Sequence, residues 1–124
     1  MSTIKCNALS KLDASASVPV DTVVNGTAKA WVNFNGTGTV VIRKAFNVSS
    51  ITDNGTGNYT VNMSSAMPDA LYGANVTVGG TSAIYLARTT EDGNARTANA
   101  FSLTTAHVNA TATDAAVISA TVFR

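Results

Sequence analysis

Residues 29–67, KAWVNFNGTGTVVIRKAFNVSSITDNGTGNYTVNMSSAM, carry the chain's one Trp, two of its four Phe and two glycine-rich turns. Ala30, Val32 and Phe34 share one face and Lys29, Trp31 and Asn33 the other, which is the alternation of a β-strand. Asn35, Gly36, Thr37 and Gly38 are read as the positive-φ positions of a tight connection, with TVVIRK (39–44) returning as the hairpin partner. DNGTG (53–57) repeats that turn chemistry. Asn58 to Ser64 then alternates again, placing Tyr59, Val61 and Met63 inward and Asn58, Thr60, Asn62 and Ser64 outward, so one face of this strand meets water.

Working outward, Pro68 interrupts the pattern before Tyr72, Ala74, Val76 and Val78 align on one face. Gly79 and Gly80 turn the chain, and TSAIYLAR (81–88) is read as the return strand. TEDGNAR (90–96) is a polar loop, AFSLTTA (100–106) a strand, ATATDA (110–115) a polar connection and AVISATVFR (116–124) a last strand. Strands at this spacing, separated by glycine turns, predict an all-β fold: a compact antiparallel β-sandwich or partly closed barrel of about seven or eight strands. The chain holds 18 Thr and 12 Asn. No window offers the Leu, Glu and Lys mixture of a helix, so helix is expected to be minor.

A chain of 124 residues fits one domain, which at this size buries roughly two-thirds of its unfolded surface. Of the apolar residues 20 are Ala and 14 are Val, so the core is thin and a homo-oligomer is expected to complete the burial. The division expected is an N-terminal arm over residues 1–24 and a β-sandwich domain over 25–124. The arm lacks regular alternation, and Pro19 forces an extended course at Val18. Ile4, Leu9, Leu12, Val18 and Val20 are its candidate attachment residues, in a segment read as having no partner strand of its own.

Several function classes have no support in the residues. The net charge is +1 with Lys and Arg scattered singly, so no basic stripe neutralises a run of phosphates and nucleic acid is not an expected partner. MSTIKCNALSKLD (1–13) has no apolar run, so neither a signal peptide nor membrane insertion is expected. Cys6 is alone, and His107 has no second His or Cys at ligand spacing, which argues against a disulfide or a metal site. The acids fall in turn-forming contexts and no hydroxyl has a base beside it, so no catalytic residue, no enzyme activity and no cofactor is expected. Gly36-Thr37-Gly38 and Gly55-Thr56-Gly57 open no helix and are turns rather than phosphate loops.

The run from Ala30 to Gly73 resembles a module of tailed bacteriophages, especially those of marine and cyanobacterial hosts, found at the C-terminal end of tail fibres and in small virion proteins. The features that carry the resemblance are the Trp31-Val32-Asn33-Phe34 strand, the Asn35-Gly36-Thr37 turn and the link from Phe46-Asn47-Val48 to Ile51-Thr52-Asp53. To these add the Gly57-x-Tyr59 strand start and the Ala66-Met67-Pro68-Asp69 bend into Tyr72. The opening MSTIK and the closing VFR also resemble such proteins. The resemblance implies a virion structural protein, assembled in the host cytoplasm as a homotrimer. It would be either a receptor-binding knob of the tail-fibre-tip kind, involved in host attachment, or a capsid decoration (cement) protein. About 28 residues precede the module in place of a long shaft. The arm would then bind other virion proteins, of tail or capsid. A host cell-surface receptor would meet an exposed loop, for which the candidates are Tyr85, Arg88, Glu91, Asp92, Asn94 and Arg96. Trp31, on the face opposite Ala30, Val32 and Phe34, is the candidate oligomer interface.

Overall fold

The computed structural model describes residues 2–80, 85–90 and 96–124. Two short strands, β1 (Ala8–Ser10) and β2 (Ser17–Pro19), precede one helix, α1 (Val20–Gly26). Eight strands follow: β3 (Ala30–Asn35), β4 (Val41–Phe46), β5 (Val48–Asp53), β6 (Asn58–Met63), β7 (Gly73–Gly79), β8 (Tyr85–Thr90), β9 (Ala100–His107) and β10 (Val117–Phe123). They form two four-stranded antiparallel sheets, one in the order β4-β3-β10-β7 and the other β5-β6-β9-β8. The fold is an all-β sandwich with neither sheet closed into a barrel.

The core is what the alternation requires. Ala30, Val32 and Phe34 from β3 and Ile118, Ala120 and Val122 from β10 are fully buried, opposite Tyr59 and Val61 from β6 and Phe101 and Leu103 from β9. Phe34 meets Tyr59 edge-on across the sandwich at a centroid distance of 5.3 Å, and Tyr72 meets Phe101 in the same way at 6.3 Å, the geometry that the ring quadrupoles favour. The inward and outward faces read from the sequence for β3, β6 and β7 are the observed ones.

Strand succession is where structure and sequence part. The chain changes sheet between β4 and β5 with one residue, Asn47, at φ 53°. Asn tolerates this left-handed conformation better than most residues, and here its amide fixes the crossing. Asn47 Nδ2 donates to the carbonyls of Lys29 (3.1 Å) and Ser65 (3.2 Å), and Oδ1 accepts from the Ser65 amide (2.8 Å). β8 likewise does not pair back on β7 but joins the second sheet beside β9. Its expected hairpin return is corrected, because alternation marks which face is buried and not which strand is the neighbour.

The reading that the arm has no partner strand of its own is also corrected. Its strands pair with each other, Leu9 opposite Val18, around a turn in which Lys11 N donates to Ala16 O (2.9 Å) and Asp13 Oδ1 accepts from Ser15 N (2.9 Å). The turn places Ala14, not a glycine, at φ 57°, which is why turn composition did not disclose it. No residue of α1 is buried.

Candidate functional site

Among the described residues no group of three His, Cys, Asp or Glu is arranged to hold a metal ion, and no helix is long and apolar enough to cross a membrane. Three surfaces remain that a ligand or partner can use, and a buried latch holds two of them in place.

The latch joins the sheets. Tyr59 is fully buried, and its phenol lies 2.7 Å from Asp114 Oδ1 and 3.0 Å from Gly36 O, either of which accepts its proton. The same Asp114 oxygen accepts the Gly57 amide at 2.7 Å. Burial first, and the Asp114 hydrogen bond second, push the Tyr59 phenol well above its ordinary value of 10. Gly36 does not have positive φ, contrary to the turn reading, where only Gly38 does (φ 64°). It is glycine because a Cβ would come within 2.5 Å of the Tyr59 hydroxyl. Gly57 is required twice over: φ is 69°, and a Cβ would lie 2.3 Å from the Thr105 carbonyl oxygen.

The first surface is the outer face of the β4-β3-β10-β7 sheet. Trp31 and Phe46 are directly paired across β3 and β4, and both point outward, 36% and 55% exposed. Thr121 of β10 is the other cross-strand neighbour of Trp31, and Phe123 follows on that face. The candidate interface residue therefore belongs to an outward aromatic group that sequence reading reduced to Trp31 alone. The signal for Phe46 was available once its register was known.

The second surface is the outer face of the other sheet, where hydroxyls and amides bond to one another in rows. Asn54 Nδ2 donates to Thr60 Oγ1 (2.8 Å), Thr60 and Ser102 hydroxyls are 3.1 Å apart, and Thr104 Oγ1 donates to Asn58 Oδ1 (3.0 Å). A cleft of about 320 Å³ lies on this lattice, with Asn54, Asn58, Thr90, Ser102 and Thr104 in its wall. A second, apolar cleft of about 510 Å³ adjoins it, lined by Leu86, Ala106, Ala110 and Ala112. Arg88 and Thr104 line both. Arg88 is exposed and makes no ion pair among the described residues.

Of the expected receptor-loop residues Tyr85, Arg88 and Arg96 are described, and these three lie apart. Tyr85 turns toward the core and stacks on His107 with centroids 5.2 Å apart and planes 20° apart. Arg96 is a structural residue: its guanidinium lies over the Tyr72 ring at 5.0 Å and donates to the Tyr72 carbonyl. Glu91, Asp92 and Asn94 lie outside the described residues. Of the three described, Arg88 is the one on an open ligand-accessible face, and the lattice around it went unread because Thr and Asn on a strand's wet face are ordinary.

The third surface is the arm. Ile4, Leu9, Leu12 and Val18 are exposed, Val20 is half-buried, and Val23 and Val24 of α1 add to the exposed apolar set. No family model matches the chain, and no curated protein or solved structure matches it.

Proposed function

We propose that this chain is a structural protein of a tailed-phage virion: a homotrimeric, tail-fibre-tip-like knob that takes part in host attachment and is fixed to the particle by its N-terminal arm. The observation that carries this reading is the contrast between the two parts of the chain. From Ala30 onward the described residues build a sandwich with a closed core, whereas residues 2–19 leave their large apolar side chains exposed to solvent. A soluble segment holding Ile4, Leu9, Leu12 and Val18 exposed is an unfilled contact. Burying three of these on a neighbouring protein contributes about 5–9 kcal/mol before ordering costs. Three arms on one trimer multiply the hold by effective concentration.

The trimer itself is supported by the outward Trp31 and Phe46 pair, since a threefold contact over that face removes it from water. The resemblance of residues 29–72 to phage modules supplies the particle. A second reading, a capsid decoration protein, is favoured by the same arm, which suits seating on a capsid lattice as well as on a tail.

The test is deletion of residues 1–26, leaving the chain from Thr27. The expected result is a folded, soluble trimer by light scattering that no longer enters particles. A deletion variant that incorporates at normal occupancy overturns the arm's role, and one that cannot fold shows the arm to be part of the domain.

A further inference from the structure

We infer that the outer face of the β5-β6-β9-β8 sheet is a glycan-binding site for an anionic, N-acylated monosaccharide unit, with Arg88 receiving the carboxylate. The inference deepens the attachment reading by naming the class of host ligand, although binding itself is a property of the isolated chain. Three observations converge on one place. The polar cleft presents hydroxyls and amides at regular strand spacing, from Asn58 on β6 and Thr104 on β9. Thr104 Oγ1 donates to Asn58 Oδ1 and Asn58 Nδ2 donates to the Thr56 carbonyl, which leaves one Asn58 amide proton and the Thr104 hydroxyl's lone pairs for a sugar's hydroxyls. The adjoining cleft, floored by Leu86, Ala106 and Ala112, is apolar and lined with small side chains, which fits a methyl-bearing substituent and offers nothing to a hydroxyl.

Arg88 stands where the two meet. Its guanidinium offers a planar donor fork that matches a carboxylate in bidentate fashion, and no described acid neutralises it. A neutral sugar leaves that fork unused, and an unacylated one leaves the apolar cleft empty. A ligand bearing a carboxylate, vicinal hydroxyls and an acetamido methyl satisfies all three compartments. Such a unit fits within the combined clefts, which are of the size that small-molecule sites occupy.

The experiment titrates the full chain with N-acetylneuraminic acid, with glucuronic acid, which has the carboxylate without the acyl group, and with N-acetylglucosamine, which has the reverse. Binding is read by amide NMR shifts and by calorimetry. The expected order of affinity is N-acetylneuraminic acid first, with both partial ligands at least roughly tenfold weaker, and shifts at Arg88, Thr104 and Ala106. Arg88→Gln should weaken the first ligand roughly tenfold or more and Arg88→Lys less, because Lys keeps the charge and loses the fork. Ala106→Leu, which fills the apolar cleft, should remove the preference for N-acetylneuraminic acid over glucuronic acid. Absence of binding, equal binding of the three ligands, or indifference to Arg88→Gln overturns the inference. Host adsorption separates it from the attachment reading. Loss of adsorption in Arg88→Gln without saccharide binding refutes the glycan site and keeps attachment, and saccharide binding with unaltered adsorption does the opposite.

Discussion

Removing one hydroxyl at the centre of the sandwich measures how much the Tyr59 latch contributes. Tyr59→Phe keeps the ring, its full burial and its edge contact with Phe34, and deletes the donor to Asp114 and Gly36. Asp114 Oδ1 keeps the Gly57 amide, so it is weakened and not orphaned. A hydrogen bond to an ionised group is worth about 1.5–3 kcal/mol, and at about 4 °C per kcal/mol for a domain of this size the midpoint falls by about 6–12 °C. Thermal unfolding followed by Trp31 fluorescence and circular dichroism measures it. The loss also has a pH signature. Because the folded-state phenol is raised above its ordinary value of 10, the stability tied to its protonation is whole below about pH 10 and is lost as pH rises toward the folded-state value. The gap between wild type and Tyr59→Phe is therefore constant from neutral pH to about 10 and narrows above it. A cost below about 0.5 kcal/mol, or a gap that widens in alkali, refutes the latch.

Asn47→Ala loses three hydrogen bonds and leaves at φ 53° a residue that tolerates the left-handed region less well than Asn, so it should cost about 2–4 kcal/mol, while Asn47→Gly should recover about 1 kcal/mol of that by relieving the backbone alone; thermal melts of both variants check the order. Trp31→Ser together with Phe46→Ser should leave a folded sandwich, since neither side chain enters the core, and convert the proposed trimer to monomer in sedimentation; a trimer that persists removes this face from the interface.

What the sequence disclosed and what it hid follow from one physical distinction. Face assignment is local: in β3, β6 and β7 every second residue is apolar and the rest are Asn, Thr, Gly or Trp, so the period of two is unmistakable. Sheet assignment is not local. Nothing in Phe46-Asn47-Val48 says that its two strands belong to different sheets until the left-handed Asn47 is seen, and β8 carries no mark that its neighbour is β9. Gly36 looks like a turn glycine and is one of close approach, fixed by Tyr59 from 23 positions away. The arm's hairpin escaped notice because Ala14 takes the place that a glycine advertises. At the candidate site, Arg88 was legible as an exposed cation, whereas the two clefts beside it are made by β6, β8 and β9 with Asn54, Ala110 and Ala112 from the connections, and no single stretch contains them. Arg96 was read as a surface contact for the same reason: its partner, Tyr72, is supplied by the fold.

The account stands on this chain being an exposed component of a phage particle, and gold-labelled antibody against the sandwich, applied to purified virions from infected cells, tests that directly. Label at the distal end of the tail, with the chain detected in the same particles by mass spectrometry, is the predicted result. Label spread over capsid faces would replace the attachment role with decoration, and absence of the chain from purified particles would contradict the account altogether.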